Sequence, residues 1–282
     1  MHNTKVNIIT EDELKTYIDG RIGDLMVRVT RVMNKEIDFD VNPSSQAVAN
    51  YYSSPSNYLQ NNMGLKKLVF DSCIFNGSLT MNDHGYIGGI GFENCQFNSQ
   101  VSTNMYHKDM FDTKCIFNDS IKISFDSNNN SIEISKLEYK KDLVITGKNE
   151  TITIKNLNNA TPLNDQRLVI KCACSELHLS NIKSKEIIFE GQAQVSQDLI
   201  IKDEKFNNII FNKISINNTI IFDNITLNEL NIETILGNYP KLVVKNKSHF
   251  VSLNIPLEQL SKINTFSFAR WIFSGSTQHF LK

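Results

Sequence analysis

The apolar residues of this chain recur in a fixed arrangement, in which two pairs of alternating apolar positions are separated by two residues. The first copy consists of Leu68, Phe70, Cys73 and Phe75, and similar copies follow at intervals of about 21 residues. Alternation predicts a β-strand with one buried face, and the two-residue break predicts a bend between two strands. The third apolar position of successive copies holds Cys73, Cys95, Cys115, Leu137, Leu157, Ile182 and Ile225. A repeat of this length predicts a solenoid, in which each coil buries its apolar face by stacking on its neighbours.

The position just before the bend is rich in asparagine. It holds Ser72, Asn94, Lys114, Lys136, Asn156, Asn181 and Asn224. After glycine, asparagine is the residue that best tolerates a left-handed backbone, so this position predicts a corner between two strands. In the third copy the spacing puts Asp112 where an apolar residue belongs, with Phe111 beside it, which predicts a bulge.

Strand-only coils of this length resemble the right-handed parallel β-helix of the pectin-lyase-like superfamily. The resemblance covers residues 66–256 and depends on the periodicity. It implies an all-β fold, a right-handed parallel β-helix solenoid of about 21–22 residues per coil, with a short N-terminal helix and an aromatic C-terminal cap. Residues 1–65 are then an N-terminal helix and loop or cap region, residues 66–256 the β-helix, and residues 257–282 a C-terminal cap or tail.

The two ends differ from the middle. Thr10 followed three residues later by Glu13 predicts a helix start, because each side chain can bond the backbone N–H of the other. Residues 24–34 fit either a helix or a strand, and residues 256–260 predict a second short helix. We expect the first helix and the aromatic tail to cover the open ends of the β-helix, since an uncovered end invites edge-to-edge pairing. The alternative for the first helix is an oligomerisation stalk.

Composition narrows the location and the partners. A net charge of −1 gives no electrostatic signal for nucleic acid, and no apolar run is long enough to span a bilayer. The first residues lack the apolar core of a secretory signal, and the five cysteines then favour a reducing compartment. The expected location is cytoplasmic, or the virion if a phage encodes the chain. We expect a protein partner or self-association and no association with a membrane. Carbohydrate is the alternative ligand.

The cysteines and aromatic residues predict a core rather than a site. Cys73, Cys95 and Cys115 alternate with phenylalanines that face the core, and no fourth ligand shares their spacing, so we expect buried thiols without metal or cofactor. Cys172 and Cys174 share the strand parity of their buried neighbours. A sugar-stacking platform is the alternative for the aromatic set of Phe75, Phe97, Phe117 and Tyr139, whose parity favours the core.

One group of residues is a candidate for catalysis. Enzymes of the superfamily cleave acidic polysaccharides with clustered acidic and basic side chains on one outer face. Asp83 and His84 lie about one coil before His107 and Asp109, so the two pairs can converge on one edge. Solvated loops explain the same residues more simply.

Apolar residues at outward positions suggest recognition. The first stripe consists of Val144, Val169, Ile188 and Ile210, and the second stripe consists of Ile200, Ile221 and Val243. The neighbours of the first stripe, which are Leu143, Leu168, Ile187 and Ile209, are also apolar, so either set can be the outward one. Because a strand cannot bury both sets in one core, four large apolar side chains must lie outside. The chain's own tail, a partner or a sister subunit is expected to cover them.

The sequence therefore favours a non-enzymatic binding or structural protein that engages a macromolecule through the side face or the caps of its β-helix. A phage or mobile-element protein, either a virion fibre component or an intracellular inhibitor of a host system, fits this description. The alternative is a polysaccharide-active lyase or hydrolase that works on the β-helix face.

Overall fold

The predicted parallel β-helix is confirmed. The computed structural model describes residues 7–14, 21–22, 25–26, 29–41, 67–81, 90–104, 106, 110–126, 131–158, 166–191, 193–236, 240–246, 248–260 and 265–268. About seven parallel coils stack into a β-solenoid with almost no helix.

The strands are short at the start of the chain and long in its second half. They are β1 (Asn7–Ile8), β2 (Arg21–Ile22), β3 (Leu25–Met26), β4 (Val29–Met33), β5 (Lys35–Ile37), β6 (Lys67–Asp71), β7 (Ile74–Phe75), β8 (Leu79–Met81), β9 (Ile90–Glu93), β10 (Gln96–Phe97), β11 (Val101–Thr103), β12 (Ile116–Phe117), β13 (Ile121–Asp126), β14 (Ser131–Ser135), β15 (Glu138–Tyr139), β16 (Asp142–Leu157), β17 (Arg167–Ile182), β18 (Glu186–Phe189), β19 (Gln194–Val195), β20 (Asp198–Ile216), β21 (Thr219–Leu236), β22 (Lys241–Lys245), β23 (His249–Asn254) and β24 (Thr265–Phe268). The described part of helix α1 is residues 11–14, and helix α2 covers Leu257–Leu260. The α2 segment agrees with the helix predicted there.

The chain separates into two compact units. Unit 1 contains Met1–Ser124 and Leu137–Lys141, and unit 2 contains Phe125–Lys136 and Asp142–Lys282.

Unit 1 is built from parallel ladders on three sides of its coils. One ladder joins β1, β5, β7, β10, β12 and β15, a second joins β4, β6 and β9, and a third joins β8, β11 and β13. The predicted aromatic core is confirmed, because Phe75, Phe97, Phe117 and Tyr139 occupy one register and are at most 1% exposed. The rings of Phe75 and Phe97 stack with centroids 5.0 Å apart, and those of Phe97 and Phe117 stack at 4.7 Å.

The parallel pairing of unit 1 begins before residue 66, where the sequence repeat starts. Strand β4 pairs with β6, which aligns Val32 with Phe70, and β5 pairs with β7, which aligns Ile37 with Phe75. Residues 24–34, which fitted either helix or strand, contain β3 and β4. The 25-residue segment 42–66 separates this early coil from the next, so its spacing falls outside the regular period.

The N-terminal capping box is present as predicted. The backbone N–H of Thr10 donates to a carboxylate oxygen of Glu13 at 2.9 Å, and the backbone N–H of Glu13 donates to the Thr10 hydroxyl at 3.2 Å. The pKa of Glu13 is lowered by hydrogen bonding to its carboxylate, first from the Thr10 backbone N–H and then from the Thr10 side chain. Leu14, in the first turn of α1, is 2% exposed and therefore anchors the segment in the protein.

Unit 2 carries the longer strands, which bend at corners and pass from one side of the coil to the next. Strands β16, β17, β20 and β21 pair in parallel over most of their length, with β18, β19, β22 and β23 completing the coils. Strand β24 pairs with β22, aligning Phe266 with Leu242, so the ladder also extends beyond residue 256. The inward residues form apolar columns of isoleucine, leucine and phenylalanine that are almost completely buried.

The corner prediction is confirmed at six of its seven positions. Ser72, Asn94, Lys136, Asn156, Asn181 and Asn224 all have φ between 50° and 61°. Side-chain amides link successive corners, since Nδ2 of Asn181 donates to Oδ1 of Asn156 at 2.6 Å. Such a bond gives asparagine a second advantage at this position, in addition to its tolerance of the left-handed backbone.

The prediction for Lys114 is wrong. The third coil turns instead at Asp112, whose backbone carbonyl accepts from the Cys115 N–H at 3.2 Å and whose carboxylate accepts from the N–H groups of Asn94 and Lys114. The predicted irregularity is confirmed here, because Phe111 takes the inward position, 3% exposed, and its ring stacks on Phe92 with centroids 5.1 Å apart. The inserted residue lets the coil keep its aromatic core while Asp112 faces outward.

Candidate interaction face

The first stripe is a straight column on the outside of unit 2. The strands align Val144 with Val169, Val169 with Ile188, and Ile188 with Ile210. The alternative set, which consists of Leu143, Leu168, Ile187 and Ile209, is 0% exposed. The structure therefore decides the question that the sequence left open, and the predicted stripe is the outward set.

The local sequence explains why this column is straight. Each of the four strands presents a pair of neighbouring apolar residues at the same register position, and alternation sends one inward and the other outward. Neighbouring strands in a sheet lie about 4.8 Å apart, so the outward side chains pack on each other along the column. This mutual packing leaves Val169 7% exposed, while Val144, Ile188 and Ile210 are half-buried.

Charged residues flank the first stripe and pair along the ladder. The Arg167 guanidinium donates two hydrogen bonds to Asp142, from Nε at 2.8 Å and from Nη2 at 2.6 Å. These bonds, together with the nearby carboxylates of Glu186 and Glu190, raise the pKa of Arg167. On the other flank Lys171 Nζ lies 2.8 Å from a carboxylate oxygen of Glu190.

With its flanks, the first stripe forms a twelve-residue face of four rows. The rows are Asp142, Val144 and Thr146; then Arg167, Val169 and Lys171; then Glu186, Ile188 and Glu190; then Asn208, Ile210 and Asn212. The second row is basic on both flanks and the third row is acidic on both flanks. These flanking residues are not among those predicted from the sequence. The signal was available, because Arg167 precedes Glu186, and Lys171 precedes Glu190, by the same 19 residues that separate Val169 from Ile188.

The second stripe lies on another side of unit 2. Strands β20, β21 and β22 align Ile200, Ile221 and Val243, all half-buried. His178 precedes Ile200 in this column and Ser267 of β24 follows Val243. The part of the tail that the structure describes therefore extends this second column as a further strand. The rest of the predicted tail, residues 269–282, lies outside the described residues, and so does any contact of it with the first stripe.

The three cysteines of unit 1 form a buried column, as predicted. The thiols of Cys73, Cys95 and Cys115 donate to the backbone carbonyls of Val32, Phe70 and Phe92, at 3.4, 3.5 and 3.3 Å. The pKa of Cys95 lies far above its ordinary value, because the neighbouring thiols of Cys115 and Cys73 hydrogen-bond to its protonated form and burial disfavours the thiolate.

In unit 2, Cys172 and Cys174 are also buried free thiols, in agreement with their predicted parity. The pKa of Cys172 is likewise raised, first by its hydrogen bond with the Cys174 thiol and then by burial. Within the ranges that the structure describes, no three His, Cys, Asp or Glu side chains are grouped as a metal site requires.

The predicted catalytic edge falls outside the described residues, since Asp83, His84, His107 and Asp109 all lie in segments that the structure does not describe. Several charged side chains on the described coils pair with neighbours on nearby rungs. One example in unit 1 is Arg31, whose guanidinium donates to Asp71 at 3.0 Å and to Glu93 at 2.7 Å.

No family model, curated protein or solved structure matches this chain. Among the described residues, neither helix is long and apolar enough to cross a membrane.

Proposed function

We propose that this chain acts by binding, and that the twelve-residue face of unit 2 is where a macromolecular partner docks. The observation that supports the proposal is the unbroken outward column Val144, Val169, Ile188 and Ile210. Outward positions at the same place in the coils of unit 1 are polar, as at Thr80 and Ser102. A solenoid therefore does not need apolar residues at this position, which gives these four a role beyond the stability of the fold.

The composition of the face suits protein recognition. An apolar centre flanked by charged and polar side chains is the usual arrangement of a protein–protein interface. Burying each of these side chains against a partner contributes roughly 1.5–3 kcal/mol at most, and less for those already packed along the column. Contact with the column and its flanks together is what gives the interaction its specificity.

A double substitution tests the proposal. The tagged full chain, its Val169→Lys/Ile188→Lys variant and a matched Thr80→Lys/Ser102→Lys control are expressed in the native cell and isolated after cross-linking. Quantitative mass spectrometry then measures what each carries, and sedimentation measures its mass. We expect the first variant to remain folded, with a cooperative unfolding transition, and to lose at least about tenfold in bound partner or in self-association, while the control retains both. Equal binding by all three proteins would sink the proposal.

A further inference from the structure

The twelve-residue face has a charge order that favours a particular partner. Its second row carries Arg167 and Lys171 on either side of Val169, and its third row carries Glu186 and Glu190 on either side of Ile188. The basic row and the acidic row are adjacent and equal in width. A surface with this order is complementary to itself when it is turned through half a turn.

We propose that the partner is a second copy of this chain, docked face to face on the twelve-residue face with its coil axis antiparallel. This inference depends on the proposed function, because it names the occupant of the face proposed there. The two-fold axis runs along the strands, between the second and third rows. It sets Val169 of each copy opposite Ile188 of the other, and Val144 opposite Ile210.

The antiparallel arrangement matches charges on both flanks. Arg167 of one copy faces Glu186 of the other, Lys171 faces Glu190, and the symmetry repeats both pairs, which gives four complementary contacts. The first row, with Asp142 and Thr146, faces the uncharged Asn208 and Asn212 of the fourth row. Every charged position of the central rows therefore meets a charge of opposite sign.

A parallel arrangement gives the opposite result. A two-fold axis parallel to the coil axis would leave each row facing the same row of the other copy. Arg167 would then face Lys171, and Glu186 would face Glu190. Like charges across an interface cost several kcal/mol, so the same face that favours the antiparallel pair opposes the parallel one.

The charged groups remain accessible although they pair within one copy. The side chains of Lys171 and Glu190 are 40% and 35% exposed, and that of Arg167 is 48% exposed. Each head group therefore has an open side that can meet a second charge. Ion pairs of this kind steer the orientation of association more than they add affinity.

The size of the face is that of a weak, reversible interface. Four rows about 4.8 Å apart and three columns about 6.7 Å apart cover about 400 Å² per copy once side chains are included. Because stable interfaces bury a total of about 1,200–2,000 Å², a contact of about 800 Å² predicts a reversible dimer that forms at micromolar or higher concentration.

Complementary charge variants test the inference with the full chain. Sedimentation velocity is recorded from about 1 to 500 µM for the wild type, an acidic variant (Arg167→Glu/Lys171→Glu) and a basic variant (Glu186→Lys/Glu190→Lys). We expect a concentration-dependent dimer for the wild type and at least about tenfold weaker association for each variant alone. An equimolar mixture of the two variants should recover the dimer, since acidic rows then face basic rows in both directions.

Introduced cysteines test the antiparallel orientation of the two copies. This second experiment remains informative even if the charge variants do not fold. All five native cysteines are buried, so Val144→Cys and Ile210→Cys supply the exposed thiols. Facing sheets lie about 10 Å apart, which is too far for a disulfide between opposed backbone positions, so a short bismaleimide supplies the link. It should join a mixture of these two variants, whereas Val144→Cys alone should react poorly, since its two copies also lie about 14 Å apart along the coil axis. Rapid cross-linking of Val144→Cys alone would overturn the antiparallel arrangement.

The outcomes separate this inference from the proposed function. A wild type that stays monomeric at every concentration, or variants that do not recover on mixing, would overturn the dimer. If the dimer is refuted in this way but the Val169→Lys/Ile188→Lys variant loses a cellular partner that the wild type binds, the face remains a binding site with another occupant. If that variant loses nothing either, both proposals fail.

Discussion

At the scale of single residues, similar apolar side chains stack on one another in successive coils of the core. Phe97 is 0% exposed and lies between Phe75 and Phe117 in one register, with ring centroids 5.0 and 4.7 Å away. Offset stacking adds to the burial of such rings. A column of this kind leaves little room to rearrange, because each coil fixes the position of the next.

Removal of one ring from this column should be costly. Phe97→Ala deletes a buried aromatic side chain and leaves a cavity between two stacked rings, so we expect a loss of about 3–5 kcal/mol in the free energy of unfolding. Urea denaturation measures it. The neighbouring Gln96→Ala is the control, since Gln96 is only half-buried and points outward. A loss below about 1 kcal/mol for Phe97→Ala would contradict the packing described.

The buried thiols predict a pH dependence of stability. The folded-state pKa values of Cys95 and Cys172 are raised far above the unfolded value of about 8.5. Their contribution to stability is therefore fully present below about pH 8.5. It decreases as pH rises above that value, because only the unfolded thiols ionise, by about 1.4 kcal/mol per thiol per pH unit.

The measurement is the free energy of unfolding under reducing conditions between about pH 7.5 and 9.5. Lysine and tyrosine also titrate toward the upper end of this range, so the Cys95→Ala/Cys172→Ala variant is the reference. We expect a shallower decrease with pH in this variant than in the wild type. Equal slopes would show that these thiols ionise equally well in the folded protein.

At the scale of strands, the burial of a side chain depends more on the side of the strand it occupies than on its hydrophobicity. Ile187 and Ile188 are neighbours of the same type on β18, yet Ile187 is 0% exposed while Ile188 lies on the outward column. The registers with β17 and β20 fix which residue faces the core. A slip of one residue would exchange the two sets along four strands, and would bring charged flanks such as Arg167 and Glu186 to the core side.

Two lysine substitutions on this strand should therefore have very different results. Ile187→Lys places an unpaired charge in the core, and we expect a loss of about 4 kcal/mol or more, or failure to fold. Ile188→Lys keeps its charge in water and should cost about 1 kcal/mol or less. Thermal and urea unfolding of the two proteins compare them directly. Similar losses at both positions would mean that the outward column is covered in the isolated chain.

At the scale of the whole molecule, charge is balanced in number but ordered in space. The chain has 29 basic and 30 acidic residues, so its net charge does not identify a particular partner. The twelve-residue face nevertheless carries one row that is basic on both flanks next to one row that is acidic on both flanks. At ordinary ionic strength, charges interact only over about 10 Å or less. The two charged rows therefore act on a partner only at short range, where they favour one orientation of docking.

Salt should therefore act on association more than on folding. Raising NaCl from about 0.1 M to 1 M shortens the screening length from about 10 Å to 3 Å. We expect the proposed dimer to weaken at least about threefold while the unfolding midpoint of the monomer changes little. Sedimentation and thermal unfolding in the same buffers measure both. An association that strengthens with salt would point to the apolar column alone as the source of affinity.

The sequence by itself determined the coil length, the aromatic and thiol columns and the corners at Asn94, Asn156 and Asn181. These features follow from local periodicity and from the backbone preference of single residues. Only the tertiary structure decided which apolar set faces outward, because Leu168 and Val169 are equally apolar and their direction depends on pairing with other coils. It also decided that Arg167 and Lys171 form one row against Glu186 and Glu190. Residues 19 apart in sequence become neighbours only when the strands stack in register.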